Sequence, residues 1–183
     1  RQILQNRCAE RDGQPAVRRR PPAEPHVDAL LHTDSKNGCP LLHIAPKPPG
    51  TIPEPQDQML RSIGRWLRVN GEAVYGTRPW KVFGEGPTEV VEGTFNDTKR
   101  GPFTAEDIRF TTNGGVVYAA VLDWPESGSL QIRSMAKDIE KAPASITLLG
   151  YEGSIDWKQT AEGLIVNLPE HPAGEYAFVL KIE

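Results

Sequence analysis

Two groups of carboxylates are the first candidates for chemistry in this 183-residue chain. Glu85, Glu89 and Glu92 surround the turn Gly84-Glu85-Gly86-Pro87, and Glu106 and Asp107 stand side by side ahead of an apolar run. Acid–base cleavage of a bond needs two such groups converging on the same atoms. Neighbours on an extended strand point to opposite faces, so Glu106 and Asp107 do not converge. Solvated turn charges account for all five of these acids, because acids are rarely buried unpaired. His26, His32, His43 and His171 share no ligand spacing, and Cys8 and Cys39 form no C-x-x-C pair, so no metal is expected. Gly84-Glu85-Gly86 lacks the later glycine and the strand-to-helix setting of a phosphate-cradling loop, and Ser35 and Ser62 lack the context of a nucleophile elbow. No cofactor is expected.

Aromatic rings are the remaining chemical resource, because the C–H face of a pyranose is apolar and stacks on them. Trp66, Trp80, Trp124 and Trp157, with Tyr75, Tyr118 and Tyr151, could supply such a platform. Core packing is the competing account for most of them. Trp124, beside Pro125 at a strand end, is the best candidate for an exposed sugar-binding ring.

The elements that must position these residues fall into two kinds. Residues 52–69 read as an amphipathic helix: Met59, Leu60, Ile63, Trp66 and Leu67 recur at spacings of three and four, with Arg61, Arg65 and Arg68 largely between them. Thr51 and Glu54 have capping-box spacing, Pro53 suits a first turn, and Asn70-Gly71 predicts a stop through a residue at positive φ. From residue 80 onward the pattern is two-residue alternation. Strands are expected at 108–112, 116–123, 130–134, 145–149, 155–159, 164–168 and 176–182. Asn113-Gly114-Gly115 signals a tight hairpin. Tyr176, Phe178, Leu180 and Ile182 share one face opposite Ala177, Val179 and Lys181, so the last strand is apolar on both faces near its middle and belongs inside a sheet. Two antiparallel sheets packed face to face follow.

Composition narrows the class further. Seventeen prolines and seventeen glycines indicate a loop-rich β protein. A net charge of −3 gives no general attraction to nucleic acid, and no apolar run reaches membrane-spanning length. The two cysteines could pair or stay free. Residues 1–26 carry six arginines against three acids, with Arg18, Arg19 and Arg20 in a row. Without interleaved aromatics or an apolar period, this stretch reads as disordered or out of place, or as the product of a shifted reading frame.

The run EAVYGTRPWKVFGEGPT at 72–88 resembles the junction between barrel and sandwich in the α-L-fucosidases of glycoside hydrolase family 29. SKNGCPLLHIAPKPPGTIPE, at 35–54, is similar to that family's last barrel strand and loop, usually closer to SKNGNLLLNIGP. FTAEDIRFTTNGGVVYAAVLDWP, at 103–125, resembles the opening of its sandwich.

The resemblance implies a mainly β chain, an antiparallel β-sandwich at 72–183 preceded at 27–71 by a remnant strand and helix of a (β/α)8 barrel. It implies a retaining hydrolase that removes terminal L-fucose from glycans, without cofactor, in an extracellular, periplasmic or lysosomal setting. No residue here matches the family's nucleophile or acid/base, so no catalytic residue is carried over. His43 then lies near the catalytic mouth as a substrate-binding candidate, with Trp124 as the other. Trp66, Tyr75 and Trp80 become the seal between barrel and sandwich. On this reading the apolar face of the helix at 52–69 is left uncovered by the chain itself. The alternative, a self-standing carbohydrate-binding or interaction module, expects Trp66 to be buried within the chain and Trp124 or Trp157 to be exposed in a groove.

Overall fold

The computed structural model describes residues 3–4, 23–90 and 101–183. In chain order its elements are β1 (Ile3–Leu4), α1 (Glu24–Ser35), β2 (Leu41–Leu42), α2 (Glu54–Asn70), a 3-10 turn (Gly71–Ala73), β3 (Arg78–Glu85), β4 (Ile108–Asn113), β5 (Val116–Val121) and β6 (Ser129–Ile132). A second 3-10 turn (Arg133–Met135), β7 (Ile146–Leu148), β8 (Asp156–Thr160), β9 (Gly163–Asn167) and β10 (Phe178–Ile182) complete it.

Eight of these strands form the antiparallel sandwich. One sheet has the order β3-β4-β5-β10-β7, the other β6-β9-β8. The hairpin between β4 and β5 turns on Gly114 and Gly115, at φ 59° and 91°, both in the left-handed region that glycine enters without steric cost. β10 lies between β5 and β7, as its two apolar faces require. Phe178, Leu180 and Ile182 point inward with Ile108, Phe110, Ala119 and Val121, and meet Leu130, Ile132, Leu164 and Val166 of the second sheet. That is the dry core.

The opposite face of the larger sheet is also apolar, and it determines where the helices go. Tyr118, Ala120, Leu122, Ala177 and Val179 form one cluster with Val27 and Leu31 of α1, Trp66 of α2, Ala73 and Phe103. The expectation of an uncovered apolar helix face is therefore corrected. The sheet needs a cover, small side chains on it let the helices approach closely, and Met59 and Trp66 are shielded by the chain itself.

Other local expectations also change. Residues 24–26, placed in the disordered stretch, begin α1, and Ile3–Leu4 pairs in parallel with Leu41–Leu42. The arginine run and Cys8 lie outside the described residues. No capping box forms at α2: Pro53 is the N-cap, without a side-chain hydrogen bond, because the helix starts at Glu54 itself. Gly71 has φ −63° and continues the helical path. Glycine serves a different need there, since a Cβ would lie 2.7 Å from the Tyr75 ring. Positive φ comes later, at Gly76. β3 was not anticipated as a strand. Its pairing with β4 is irregular between Pro79 and Gly84, which breaks the two-residue period that would reveal it.

Candidate functional site

One junction is the seam between α2 and the sandwich, centred on Trp66. Its spacing from Met59 and Ile63 puts the ring on the buried stripe of the helix, where it is 5% exposed. Its Nε1–H donates to the Ala177 carbonyl at 2.7 Å, 111 residues away in sequence. Burying the ring contributes about 1.5–3 kcal/mol, and the hydrogen bond fixes its orientation. Further polar links cross the same face. Thr111 Oγ1 donates to the Ala73 carbonyl at 2.7 Å, Arg109 Nε to His32 Nδ1 at 3.0 Å, and Tyr118 Oη to Glu72 at 3.3 Å. Burial and the Glu72 carboxylate push the Tyr118 phenol above its usual range.

Beside Trp66 the seam leaves a half-open pocket of about 180 Å³, lined among others by Arg65, Asn70, Leu149, Glu175 and Tyr176. Tyr176 adopts φ 70°, a conformation costing a bulky residue about 1–3 kcal/mol. The residue alternation along 176–182 would set Tyr176 on the face of Phe178, and the left-handed backbone at Tyr176 overturns that placement. The left-handed residue turns the ring to the helix side, where it joins the outer cluster.

The carboxylates are committed to the backbone. Asp107 is 1% exposed and accepts from Thr88 N–H at 3.1 Å, Thr88 Oγ1 and Thr104 N–H at 2.7 Å each, and Thr104 Oγ1 at 3.0 Å. Glu85 accepts from the Arg133 and Ser134 amides, both at 2.8 Å, and so caps the second 3-10 turn. The reading of these acids as solvated turn charges is thus corrected for Glu85 and Asp107. Their oxygens replace water with amide and hydroxyl donors that irregular loops leave unpaired. Glu106 remains outside, 3.8 Å from Arg133, with both side chains exposed. Among the described residues no group of three metal-ligating side chains gathers, and no helix is long and apolar enough to cross a membrane.

Comparison with known proteins divides the chain at the same seam. Residues 18–72 match the alpha-L-fucosidase family, and residues 101–183 match the alpha-L-fucosidase C-terminal domain. The chain belongs to the α-L-fucosidase family. It is 34% identical over 161 residues to the tissue alpha-L-fucosidase of Rattus norvegicus and 32% identical to that of Homo sapiens, 85% of this chain matching in each case. It spans 30% of the length of either relative. The Thermotoga maritima alpha-fucosidase structure superposes with a TM-score of 0.68 at 25% identity, covering 88% of this chain and 34% of that one.

Against that family background, the residues singled out from sequence do not gather in one place. His43 is exposed, one position beyond the end of β2. Trp124 is half-buried and meets Phe178 edge-on at 4.6 Å, so it packs on the core instead of forming an open platform. Trp157 also packs against that core. Trp80 stacks at 5.1 Å from Phe110, inside the sandwich and away from the helices. Tyr75 is 63% exposed. Of the three residues assigned to the seal, only Trp66 sits in the seam. Sequence reasoning missed Tyr176, whose backbone conformation has no signature in residue type, and Asp107, whose four donors come from two separate loops. Cys39 is a free, exposed thiol.

Proposed function

We propose that this chain is the bracing portion of a retaining α-L-fucosidase. In this reading β2, α1 and α2 are the last pieces of the catalytic barrel, and the sandwich holds them from outside. Hydrolysis of terminal L-fucose from glycans then proceeds at two carboxyl groups elsewhere in the enzyme. One attacks the anomeric carbon, while the other protonates the leaving oxygen and later takes a proton from water. His43, at the C-terminal end of a barrel strand, faces the substrate in this scheme.

The observation that carries the proposal is the seam itself. It joins the segment matching the fucosidase family to the segment matching the C-terminal domain through one apolar cluster and the Trp66–Ala177 hydrogen bond. Retaining chemistry needs two carboxyls about 5–5.5 Å apart and open to substrate. The best-held acids described here, Glu85 and Asp107, are occupied in capping loops. Incubating the purified 183-residue chain with a chromogenic α-L-fucoside tests this. No release above buffer is expected, and hydrolysis would contradict the proposal.

One observation favours the second reading, a self-standing binding module: α2 is covered by its own chain, with Trp66 buried. Against it, Trp124 and Trp157 pack on the core, and the outer face of the smaller sheet presents Ser129, Gln131, Asp156 and Lys158 without a ring. A glycan-binding screen in which that face retains sugars would revive the module.

A further inference from the structure

Asn-Gly occurs three times in the sequence, at 37–38, 70–71 and 113–114. Glycine has no Cβ to shield its nitrogen, so in each pair the backbone amide can approach the preceding side-chain carbonyl. The fold treats the three pairs differently. Asn70 is 6% exposed at the end of α2, its Nδ2 donates to the Trp66 carbonyl at 3.2 Å, and Gly71 continues the helical path. Asn37 is exposed, but the Gly38 N–H donates to the Thr33 carbonyl at 2.8 Å, so that nitrogen is engaged. Asn113 is exposed at the tip of the β4–β5 hairpin, and among the described residues neither its side chain nor the Gly114 N–H makes a hydrogen bond. A Cβ built on Gly114 or Gly115 would meet nothing within 4 Å, so the tip also has open space around it.

We propose that Asn113 is a site of spontaneous covalent modification, in which its side chain cyclises onto Gly114 and loses its amide. The Gly114 nitrogen gives up its proton to solvent and bonds to Asn113 Cγ. The Cγ–Nδ2 bond then breaks, and the amide nitrogen leaves as ammonia with a proton taken from water. Water opens the cyclic imide that remains. Entry at the former side-chain carbonyl leaves aspartate, and entry at the backbone carbonyl leaves isoaspartate, with an extra carbon in the main chain. One water is consumed, one ammonia is released, and nothing is oxidised or reduced. At Asn113 only the last pair of the hairpin, with Val116, has to open for the ring to close, whereas at Asn70 the end of α2 would have to leave the seam. Isoaspartate would disturb the pairing of Thr112 with Val117 and the 2.7 Å hydrogen bond from Thr112 Oγ1 to the Val116 carbonyl, because register in a hairpin is tied to its turn. Nothing in this chemistry depends on the bracing role.

The test is to age the intact 183-residue chain in mildly alkaline buffer and to map it by tryptic digestion and mass spectrometry. Cleavage after Lys36, Arg61, Arg68, Lys81, Arg109 and Arg133 puts the three Asn-Gly pairs on separate peptides. The peptide holding Asn113 should gain about 1 Da as the amide is exchanged for a carboxyl group. Asn37 should lag about tenfold, because the Gly38 nitrogen must first give up its hydrogen bond, and Asn70 should stay intact. In concentrated urea the three pairs should react at similar rates. Asn113→Gln, whose longer side chain would have to close a larger ring, should remove the mass gain from that peptide and leave the melting temperature of fresh chain unchanged. On ageing, the unaltered chain should melt progressively lower while Asn113→Gln holds its value. Equal rates at Asn113 and Asn37 in the folded chain overturn the proposal, as does a mass gain that persists in Asn113→Gln. An order of rates that survives urea also overturns it, since flanking sequence and not the fold would then select the site. An aged chain that melts like fresh chain overturns the disturbance of the hairpin register.

Discussion

The two faces of the β3-β4-β5-β10-β7 sheet are buried by different means. The inner face is closed by apolar side chains of a second sheet, with Phe110 and Leu180 fully shielded and little polar chemistry between them. On the outer face, covered by α1 and α2, apolar packing is crossed by hydrogen bonds from Trp66, Thr111, Tyr118 and Arg109. A dry core tolerates any arrangement that fills its volume, whereas directional bonds hold one helix orientation. The difference suggests that the inner face makes the sandwich stable and the outer face sets the angle at which the barrel end is held.

Substitutions on each face can break this contrast. Phe110→Ala, on the inner face, should cost about 3–5 kcal/mol in urea unfolding and lower the transition of the whole chain. Trp66→Ala should cost a similar amount of about 3–5 kcal/mol, but α2 should lose its protection before the sandwich unfolds, which circular dichroism and tryptophan fluorescence would report as two separate transitions. A single coincident transition would erase the distinction. Asp107→Ala leaves loop amides without their acceptor and should cost about 1–3 kcal/mol, with hydrogen exchange rising around Thr88 and Thr104.

Acid titration sharpens the contrast with smaller effects. Burial raises the Asp34 carboxyl above its ordinary 3.8, near Thr77 at the edge of the helix-covered face. The folded chain therefore binds this proton more readily than the unfolded one, and stability rises as pH falls from the raised value toward 3.8. Glu140, hydrogen-bonded to Lys81 on the sandwich side, is held below its ordinary 4.5. Its contribution is present above 4.5 and is lost as pH falls through the depressed value. Asp34→Asn and Glu140→Gln should remove slopes of opposite sign from a stability–pH curve. Slopes of the same sign would contradict the assignment.

Legibility in the sequence followed the same division. Strand-type patterning exposed β4, β5, β9 and β10, and the continuous apolar run of β10 revealed its central place, because a strand packed on both faces is written that way. The amphipathic stripe of α2 was equally plain. Its partner was not: the sheet's outer face is built from Ala120, Ala177 and Val179, small residues that look neutral until Trp66 is laid over them. β3 was hidden by its irregular pairing with β4, and Asp107 by donors that only the folded loops bring together. Tyr176 could not be read from its type, since left-handed backbone at a tyrosine arises from tertiary packing.

The measurement that bears most directly on the bracing role is native-state hydrogen exchange on the intact chain, comparing amides of α2 with those of β10. If the seam holds barrel end and sandwich as one unit, amides near Trp66 will open with the same free energy as those near Leu180, and Trp66→Ala will separate the two. Amides of α2 that exchange like those of a free helix while β10 stays protected would show that the sandwich braces nothing.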